Sequence, residues 1–388
     1  MLDPMPPAFP TRTQKSVVFI ALFLLLIWLP TLDTCFGLDR ASQPNENRAL
    51  TPFPELEATR PGVRQFFAGL EAYYSDHFGF RRLLIRWHNR WKHDWFEESP
   101  TSKVIQGKDG WYFFASDQLI AEASAATHFD EATLRAWCDL LEARRAWLAR
   151  RGIAYLFVIA PDKHTVYPEY LPDWVRRGGE ATLLAELVAY VKTHSTVPIL
   201  DLRPVLNEAK RTSRVFQFTD THWTPDGAFV TYQSLVRELA KQIPRLEPLD
   251  SAQFSRVSTT KPGGDLAKAL GDDSLVEKDY AALEPIPPLA NLASTSDARI
   301  LPKEWVPNTE PVVTENPEAT GKAIVFRDSF ASDWSPFLGH HFNRIIYIWQ
   351  YEWDAAFIER EKPDVVIDEV LERFLRKVNS KDQQSTLK

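Results

Sequence analysis

The feature that most constrains the fold is the alternation, from residue 131 onward, of amphipathic stretches with short apolar runs. Residues 131–151 carry Leu and Trp at helical spacing, and Gly152 ends that pattern. Residues 153–160 are almost continuously apolar, as expected of a strand whose sheet is covered on both faces. Further strands are predicted at 197–200, 323–326, 344–349 and 365–367, and further helices at 180–194, 225–242 and 354–361. This order predicts an α/β fold, a three-layer α/β/α sandwich with a mainly parallel sheet.

The N-terminus has the pattern of a signal anchor. Arg12 and Lys15 precede the run 17–32, which is apolar and contains no charged residue. A positive flank before such a run predicts that the chain beyond it is exported. We therefore expect a cytoplasmic segment at 1–16 and a single transmembrane anchor at 17–33 in a bacterial inner membrane, with the remaining chain in the periplasm. A cleaved signal peptide is the alternative, because the length of the apolar run fits that too.

The composition divides the rest of the chain. Residues 34–60 are polar and contain prolines, which predicts a linker, and residues 61–378 contain the predicted folded domain. Within that domain, residues 272–320 lack periodicity, so we predict an irregular insertion over the sheet, with or without short strands, that is either a lid or a surface excursion. The aromatic helical stretch 61–98 is suited to partner contact, and residues 379–388 predict a disordered tail.

Composition also excludes several kinds of partner. The net charge is −7 and no basic stretch is interleaved with aromatic residues, so no nucleic acid is expected to bind. The chain has two cysteines, no metal-ligand spacing and no glycine-rich phosphate loop after a strand, so neither a metal nor another cofactor is expected. The 13 tryptophans are many, and such residues either pack in a core or stack on sugar rings.

Polar residues follow the predicted strands at three places. Asp220 and His222 lie two residues apart in an extended stretch, so their side chains point the same way. Ser329 follows the strand 323–326 directly, and Lys163 follows the strand 153–160. The carboxyl ends of parallel strands share one edge of a sheet, so these residues are expected near one crevice. The alternatives are that Asp220 only caps a helix beside an idle histidine, and that Ser329 is only an N-cap.

Together these residues have the chemistry of a serine nucleophile site. A hydroxyl becomes a good nucleophile when a neighbouring base takes its proton. His222 would be that base, Asp220 would orient it, and Ser329 would attack a carbonyl carbon. The backbone N–H of Ser329, with Lys163 or Arg327, would hold the resulting oxyanion. Trp223, Trp349 and Trp353 are candidates for stacking on a substrate.

With these motifs the chain resembles the alginate O-acetyltransferase family of periplasmic SGNH-hydrolase-like proteins. The resemblance covers residues 45–375, and its specific part is the Asp-Thr-His-Trp stretch followed about a hundred residues later by Asp-Ser-Phe. The matching stretches are Glu46-Asn47-Arg48, Gly107-Lys108-Asp109-Gly110-Trp111, Pro161-Asp162-Lys163, Asp220-Thr221-His222-Trp223, Gly263-Gly264-Asp265-Leu266, Arg327-Asp328-Ser329-Phe330 and Pro363-Asp364-Val365-Val366. One departure is Arg327, which stands where SGNH proteins usually have glycine before Asp-Ser.

The resemblance implies an SGNH-like acyltransferase domain with permuted motif order and a catalytic triad of Ser329, His222 and Asp220. It also implies an exported polysaccharide as substrate and a membrane-embedded partner, of the membrane-bound O-acyltransferase type, that supplies the acyl group. The expected reaction is acetyl transfer to polysaccharide hydroxyls through an acyl-enzyme. The alternatives are a polysaccharide O-acetylesterase, in which water replaces the sugar, and a non-catalytic polysaccharide-binding scaffold of an export complex.

Overall fold

The structure is a computed structural model of the 388-residue chain. It describes residues 12–37, 51–56, 59–80, 83–84, 87, 103–115, 128–175, 182–272, 274–289, 292, 294–296 and 310–376. The chain divides into two compact units, Met1–Pro100 and Thr101–Lys388.

The first unit contains helices α1 (Arg12–Phe36) and α2 (Arg60–Asp76). Inside this unit the buried carboxylate of Asp33 accepts a hydrogen bond from the backbone N–H of Phe80, at 2.9 Å. Among the described residues, no helix combines the length and the apolar character needed to cross a membrane. The transmembrane anchor predicted at 17–33 is therefore not shown by the structure.

The second unit contains the predicted α/β domain. Its helices are α3 (Glu131–Ala149), α4 (Lys163–Val166), α5 (Leu183–His194), α6 (Arg203–Ala209), α7 (Pro225–Ala240), α8 (Asp265–Leu270), α9 (Ser335–Leu338) and α10 (Ala355–Glu361). Its strands are β1 (Val104–Gln106), β2 (Tyr112–Phe114), β3 (Ala154–Ala160), β4 (Ile199–Asp201), β5 (Phe254–Pro262), β6 (Val276–Pro285), β7 (Ser294–Ser296), β8 (Val312–Glu315), β9 (Lys322–Arg327), β10 (Arg344–Trp349) and β11 (Val365–Leu371).

The central sheet has seven strands in the order β4-β3-β11-β9-β10-β8-β7. The pairs from β4 to β10 are parallel, whereas β8 pairs antiparallel with β10 and β7 pairs antiparallel with β8. The prediction of a mainly parallel sheet is therefore wrong, because the sheet is mixed. The two antiparallel strands lie within residues 272–320, which the sequence predicts to be irregular. An antiparallel strand needs no helical crossover, so the alternation of helix and strand that indicates parallel strands is missing here.

Both faces of the sheet are covered, as the apolar run of β3 predicts. Leu156 and Val158 pack in one core with α7, whereas Phe157 and Ile159 pack in a second core with α3 and α5. These four side chains are fully buried, and burying an apolar side chain of this size stabilises a fold by about 1.5–3 kcal/mol. The chain therefore forms a three-layer sandwich around a strand that faces two cores.

Strands β5 and β6 form an antiparallel hairpin outside the central sheet. The fully buried carboxylate of Glu277 ties this hairpin to the loop 216–224. It accepts hydrogen bonds from the backbone N–H groups of Phe218 and Thr219 and from the Thr219 hydroxyl. The hairpin is thereby fixed beside the segment that carries Asp220 and His222.

Helices and strands with strong periodicity match their predictions closely. The helix predicted at 131–151 is α3, with Asp130 as its N-cap, and the strand predicted at 344–349 is β10. The predicted tail 379–388 and most of the linker 34–60 lie outside the described residues, as do residues 1–11 and 88–98.

Candidate active site

The backbone around Ser329 is held by a buried carboxylate. Strand β9 ends at Arg327, and the next residue, Asp328, accepts hydrogen bonds from the N–H of Phe330 at 3.0 Å and of Leu371 at 2.8 Å. The hydroxyl of Tyr351 also donates to it, at 2.8 Å. Contacts on both carboxylate oxygens of Asp328 fix the turn that presents Ser329.

The Ser329 hydroxyl makes no capping hydrogen bond to its own turn, although Ser329 stands at the N-cap position. Its Oγ lies 2.7 Å from His222 Nε2, across 107 residues of sequence. No described residue accepts a hydrogen bond from its backbone N–H, so that donor is available to a ligand. Ser329 therefore contacts His222 as well as standing at the N-cap position, whereas the sequence left open that it is only an N-cap.

The loop between α6 and α7 carries the other two residues. Phe216 and Trp223 form a β-bridge, so the loop closes on itself. Asp220 Oδ1 accepts from the His222 backbone N–H at 3.0 Å and lies 2.6 Å from His222 Nδ1. The cap of α7 is Thr224, whose hydroxyl accepts from Gly227 N–H at 3.2 Å, so Asp220 does not cap that helix. The structure thus brings Asp220, His222 and Ser329 into one continuous chain of contacts.

The charges around His222 set its tautomer. Burial of the ring lowers the pKa of His222, but the nearby Asp220 carboxylate more than offsets this, so the pKa is raised above its usual 6.5. Burial acts to raise the pKa of Asp220, but its contacts with His222 outweigh this and lower it strongly. An ionised Asp220 can only accept, so His222 Nδ1 carries the proton and Nε2 is free to accept the Ser329 hydroxyl.

Lys163 lies beneath the loop and does not line the cleft. Its Nζ donates to the backbone carbonyls of Gln217, Phe218 and Asp220, at 2.9, 3.2 and 2.7 Å. The side chain is only 3% exposed, and burial lowers the pKa of Lys163 to about 7. All three ammonium protons have acceptors. The structure therefore places Lys163 as a support of the loop that carries Asp220 and His222, whereas the sequence predicted a cation that faces the substrate.

This placement predicts the outcome of Lys163→Met. Loss of the ammonium leaves buried carbonyls without a partner, which destabilises the domain by about 1–3 kcal/mol or more. It also shifts Asp220 and His222, and misplacement of about 1 Å lowers a rate by about 100-fold. Urea unfolding and acetyl ester cleavage measure both effects, with Lys241→Met at an exposed site as the control. A variant of unchanged stability that still loses activity would instead indicate direct contact with substrate.

Arg327 lies under the same turn as Ser329. Its guanidinium donates to the Asp328 carbonyl at 3.0 Å and to the Ser332 hydroxyl at 2.8 Å, and it lies over the Trp349 ring. Arg327 therefore contacts a residue that lines the cleft, Ser332, without lining the cleft itself. The predicted sugar-stacking residues are mainly packed: Trp223 stacks on Trp334, and Trp353 is buried in the layer that contains α3.

Ser329 and His222 open onto a cleft of about 450 Å³. Its walls are α7, the hairpin β5–β6 and the turn that follows Ser329. The lining residues are Gln217, Asp220, His222, Trp223, Pro225, Ala228, Lys261, Tyr280, Ala282, Leu283, Ser329, Ser332, Asp333, Pro336 and Phe337. Sequence reasoning missed Gln217, Lys261, Tyr280 and Asp333. The proximity of Asp333 to Ser329 in sequence was a usable signal, but nothing local indicates that the hairpin folds over the site.

Donor atoms of Asp220, His222 and Asp265 lie within 4.8 Å of one another, a spacing that a metal ion could use. However, Asp265 already accepts from the N–H and hydroxyl of Thr221, and His222 Nδ1 is directed at Asp220. The donor set is therefore engaged in positioning the histidine, and its chemistry does not fit a metal centre.

Comparison with known proteins identifies a matching family and a solved structure that shares the fold. Residues 104–299 match a family described as SGNH hydrolase-like domain, acetyltransferase AlgX. This match includes Asp220 and His222 and ends before Ser329. The crystal structure of Bacillus cereus PatB1 with a sulfonyl adduct superposes with a TM-score of 0.52 at 15% identity, over 70% of this chain and 95% of that chain, which shows a shared fold alone.

Curated relatives share part of the sequence. The probable alginate O-acetylase AlgJ of Pseudomonas fluorescens is 30% identical over 219 residues, which are 56% of this chain and 53% of that protein. The protein of the same name from Pseudomonas syringae pv. tomato is 30% identical over 210 residues, 53% of this chain and 50% of that protein. The chain thus spans about half the length of the curated relatives it matches.

Proposed function

Because this chain belongs to the family of SGNH hydrolase-like domains of acetyltransferase AlgX, we propose that it transfers acetyl groups to hydroxyls of an exported polysaccharide. The observation that carries the proposal is the contact chain from Asp220 through His222 to Ser329, with distances of 2.6 and 2.7 Å. It ends at a hydroxyl that faces an open cleft. An imidazole held between a carboxylate and a serine is the arrangement that acyl transfer needs.

The first half of the proposed reaction forms an acetyl-enzyme. His222 Nε2 takes the hydroxyl proton as Ser329 Oγ attacks the carbonyl carbon of the acetyl donor. The negative charge that develops on the carbonyl oxygen is held by the free N–H of Ser329. The tetrahedral intermediate then collapses, the bond to the leaving group breaks, and His222 returns the proton to that group.

The second half reverses these steps with a sugar. His222 takes the proton of a sugar hydroxyl, whose oxygen attacks the acetyl carbon on Ser329. The bond between the acetyl group and Ser329 Oγ breaks, and His222 returns the proton to that oxygen. Water in place of the sugar would release acetate, so the same site with a wetter cleft would be an esterase.

We also propose where the reaction takes place, which acceptor it uses and what supplies the acetyl group. The relatives named as probable alginate O-acetylases support an exported polysaccharide as acceptor, although its identity stays open. We propose that the reaction takes place outside the cytoplasmic membrane, because Arg12 and Lys15 precede an uncharged apolar run. A membrane-embedded acyltransferase would then supply the acetyl group across that membrane. The helical stretch of the first unit would be the place for its contact.

One experiment separates the three functions considered. The purified full chain is incubated with a chromogenic acetyl ester and an acetyl-free polysaccharide, and both free acetate and polymer-bound acetyl are measured by NMR. We expect acetyl on the polymer. Acetate without polymer acetylation would make the protein an esterase. Binding of the polymer with no ester cleavage would support the scaffold and contradict the proposal.

A further inference from the structure

The proposed chemistry gives no role to two charged side chains of the cleft, Asp333 and Lys261. Asp333 stands on the turn Phe330–Trp334, directly after the nucleophile, and lines the same cleft as Ser329. Its carboxyl surface still meets solvent. Partial desolvation by the cleft walls raises the pKa of Asp333 to about 6, assisted by Asp220 and opposed by His222, Lys261 and a hydrogen bond from the Trp223 indole. A carboxylate here is held close to the reacting atoms without touching the triad.

Two further polar side chains line the cleft beside Asp333. Gln217 is 5% exposed and Trp223 is 1% exposed, and both line the cleft. Neither Gln217 Oε1 nor Trp223 Nε1 has a hydrogen-bond partner of regular geometry among the described residues, although the Trp223 indole is close to Asp333. Gln217 Nε2 is already engaged by the Trp223 carbonyl at 2.9 Å, which fixes the amide orientation. Both atoms are closed off from solvent, so Gln217 and Trp223 form the cleft wall against which Asp333 stands.

The charge of this side of the cleft limits what can enter. Asp220 and Asp333 are its carboxylates, and the opposing cation is Lys261 of the hairpin. The Lys261 ammonium lies 4.0 Å from the ring centre of Tyr280, so it is already attracted to that ring and to Asp333. A uronate carboxylate that entered here would meet two like charges, whereas an uncharged sugar would meet hydrogen-bonding groups.

We propose that Asp333, with Gln217 and Trp223 beside it, forms an acceptor subsite for an uncharged sugar. The Asp333 carboxylate accepts a hydrogen bond from a second hydroxyl of the sugar whose first hydroxyl takes the acetyl group. Asp333 is thereby a specificity-determining residue that favours neutral over uronate acceptors. This inference rests on the proposed acetyl transfer and names its acceptor class.

The test compares two acceptors at pH 8, where Asp333 is ionised. A neutral hexose tetrasaccharide and a hexuronate tetrasaccharide are each supplied with a chromogenic acetyl ester, and acetylated product is counted by mass spectrometry. We expect the wild type to favour the neutral acceptor by about tenfold or more, as one charge-assisted hydrogen bond predicts. Asp333→Asn should slow transfer to the neutral acceptor by about tenfold and speed transfer to the uronate, because one repelling charge is removed, so that the preference disappears.

Far-ultraviolet circular dichroism and the midpoint of urea unfolding show that the Asp333→Asn variant is folded. Asp139→Asn, the same replacement at an exposed position of α3, is the matched control and should keep the wild-type preference. An equal fall on both acceptors, an unchanged preference in Asp333→Asn or a wild type that favours uronate would overturn the subsite. Ester cleavage with transfer to neither sugar would also overturn it, yet leave the serine chemistry standing. Absence of ester cleavage in the wild type would instead contradict the proposed function itself.

Discussion

Replacement of Ser329 by alanine should lower acetyl ester cleavage and acetyl transfer by about 10⁴-fold or more, because no other group in the contact chain can form the acetyl-enzyme. Ser329 Oγ is the atom that His222 Nε2 contacts, at 2.7 Å. The Ser329 backbone N–H stays in place in the variant, so residual activity above the uncatalysed rate would come from oxyanion binding alone. Initial rates with a chromogenic ester measure the loss, and intact-protein mass spectrometry shows whether the acetyl adduct disappears.

Ser335→Ala is the matched control for this experiment. Ser335 starts the next short helix, and its hydroxyl donates to the Ser332 carbonyl at 3.0 Å without reaching the triad. This variant should keep its activity within about threefold, as expected of a residue that touches no reacting atom. If Ser329→Ala retained the acetyl adduct and the wild-type rate, the nucleophile would have to be another residue.

Replacement of Asp220 by asparagine should reduce the rate by about 10³–10⁴-fold, although the shape of the side chain is almost unchanged. An asparagine amide can donate to His222 Nδ1, which moves the ring proton to Nε2. His222 then has no lone pair to accept the Ser329 proton. The rate depends on the neutral imidazole, so in the wild type it rises with pH through the raised pKa of His222. Without the Asp220 charge that pKa falls, so the midpoint of the pH–rate profile should move to lower pH.

A comparison with Asp265→Asn separates orientation from charge. Asp265 Oδ2 lies 3.9 Å from His222 Nδ1 and contributes to the raised pKa of His222, but it forms its hydrogen bonds with Thr221. Its replacement should shift the profile in the same direction with a much smaller loss of rate. Equal losses in the two variants would mean that Asp220 acts only through its charge, contrary to the role proposed here.

The sequence was most informative where a short local pattern has a single physical cause. The apolar run at 153–160 could only be a strand covered on both faces, and it is β3. The helix predicted at 225–242 is α7, which begins at Pro225 and is capped by the Thr224 hydroxyl. Asp220 and His222 were predicted to share one side of an extended stretch, but residues 218–222 form a bend, in which Asp220 Oδ1 accepts from the His222 N–H and meets the ring.

The edge of the sheet could not be predicted in the same way. Strand β7, Ser294–Ser296, is short, polar and exposed, and it carries no periodic pattern. Such a strand gains its conformation from hydrogen bonds to β8, which belong to the sheet and not to its own sequence. The hairpin β5–β6 could not be predicted for the same reason. It is mostly exposed, yet it supplies Lys261 and Tyr280 to the cleft.

The sequence by itself determined which residues could perform acyl chemistry and in which strand and helix order they lie, because hydrophobic period, capping residues and the spacing of Asp220 and His222 are local properties. Only the tertiary structure decided which of these residues meet. The distance between His222 and Ser329 depends on a sheet in which β3 and β11 pair in parallel across more than a hundred residues. The direction of Lys163, toward the loop carbonyls and away from the cleft, depends on which acceptors are near when its ammonium leaves water. Burial and long-range contact are properties of the packed chain, and no short stretch of sequence encodes them.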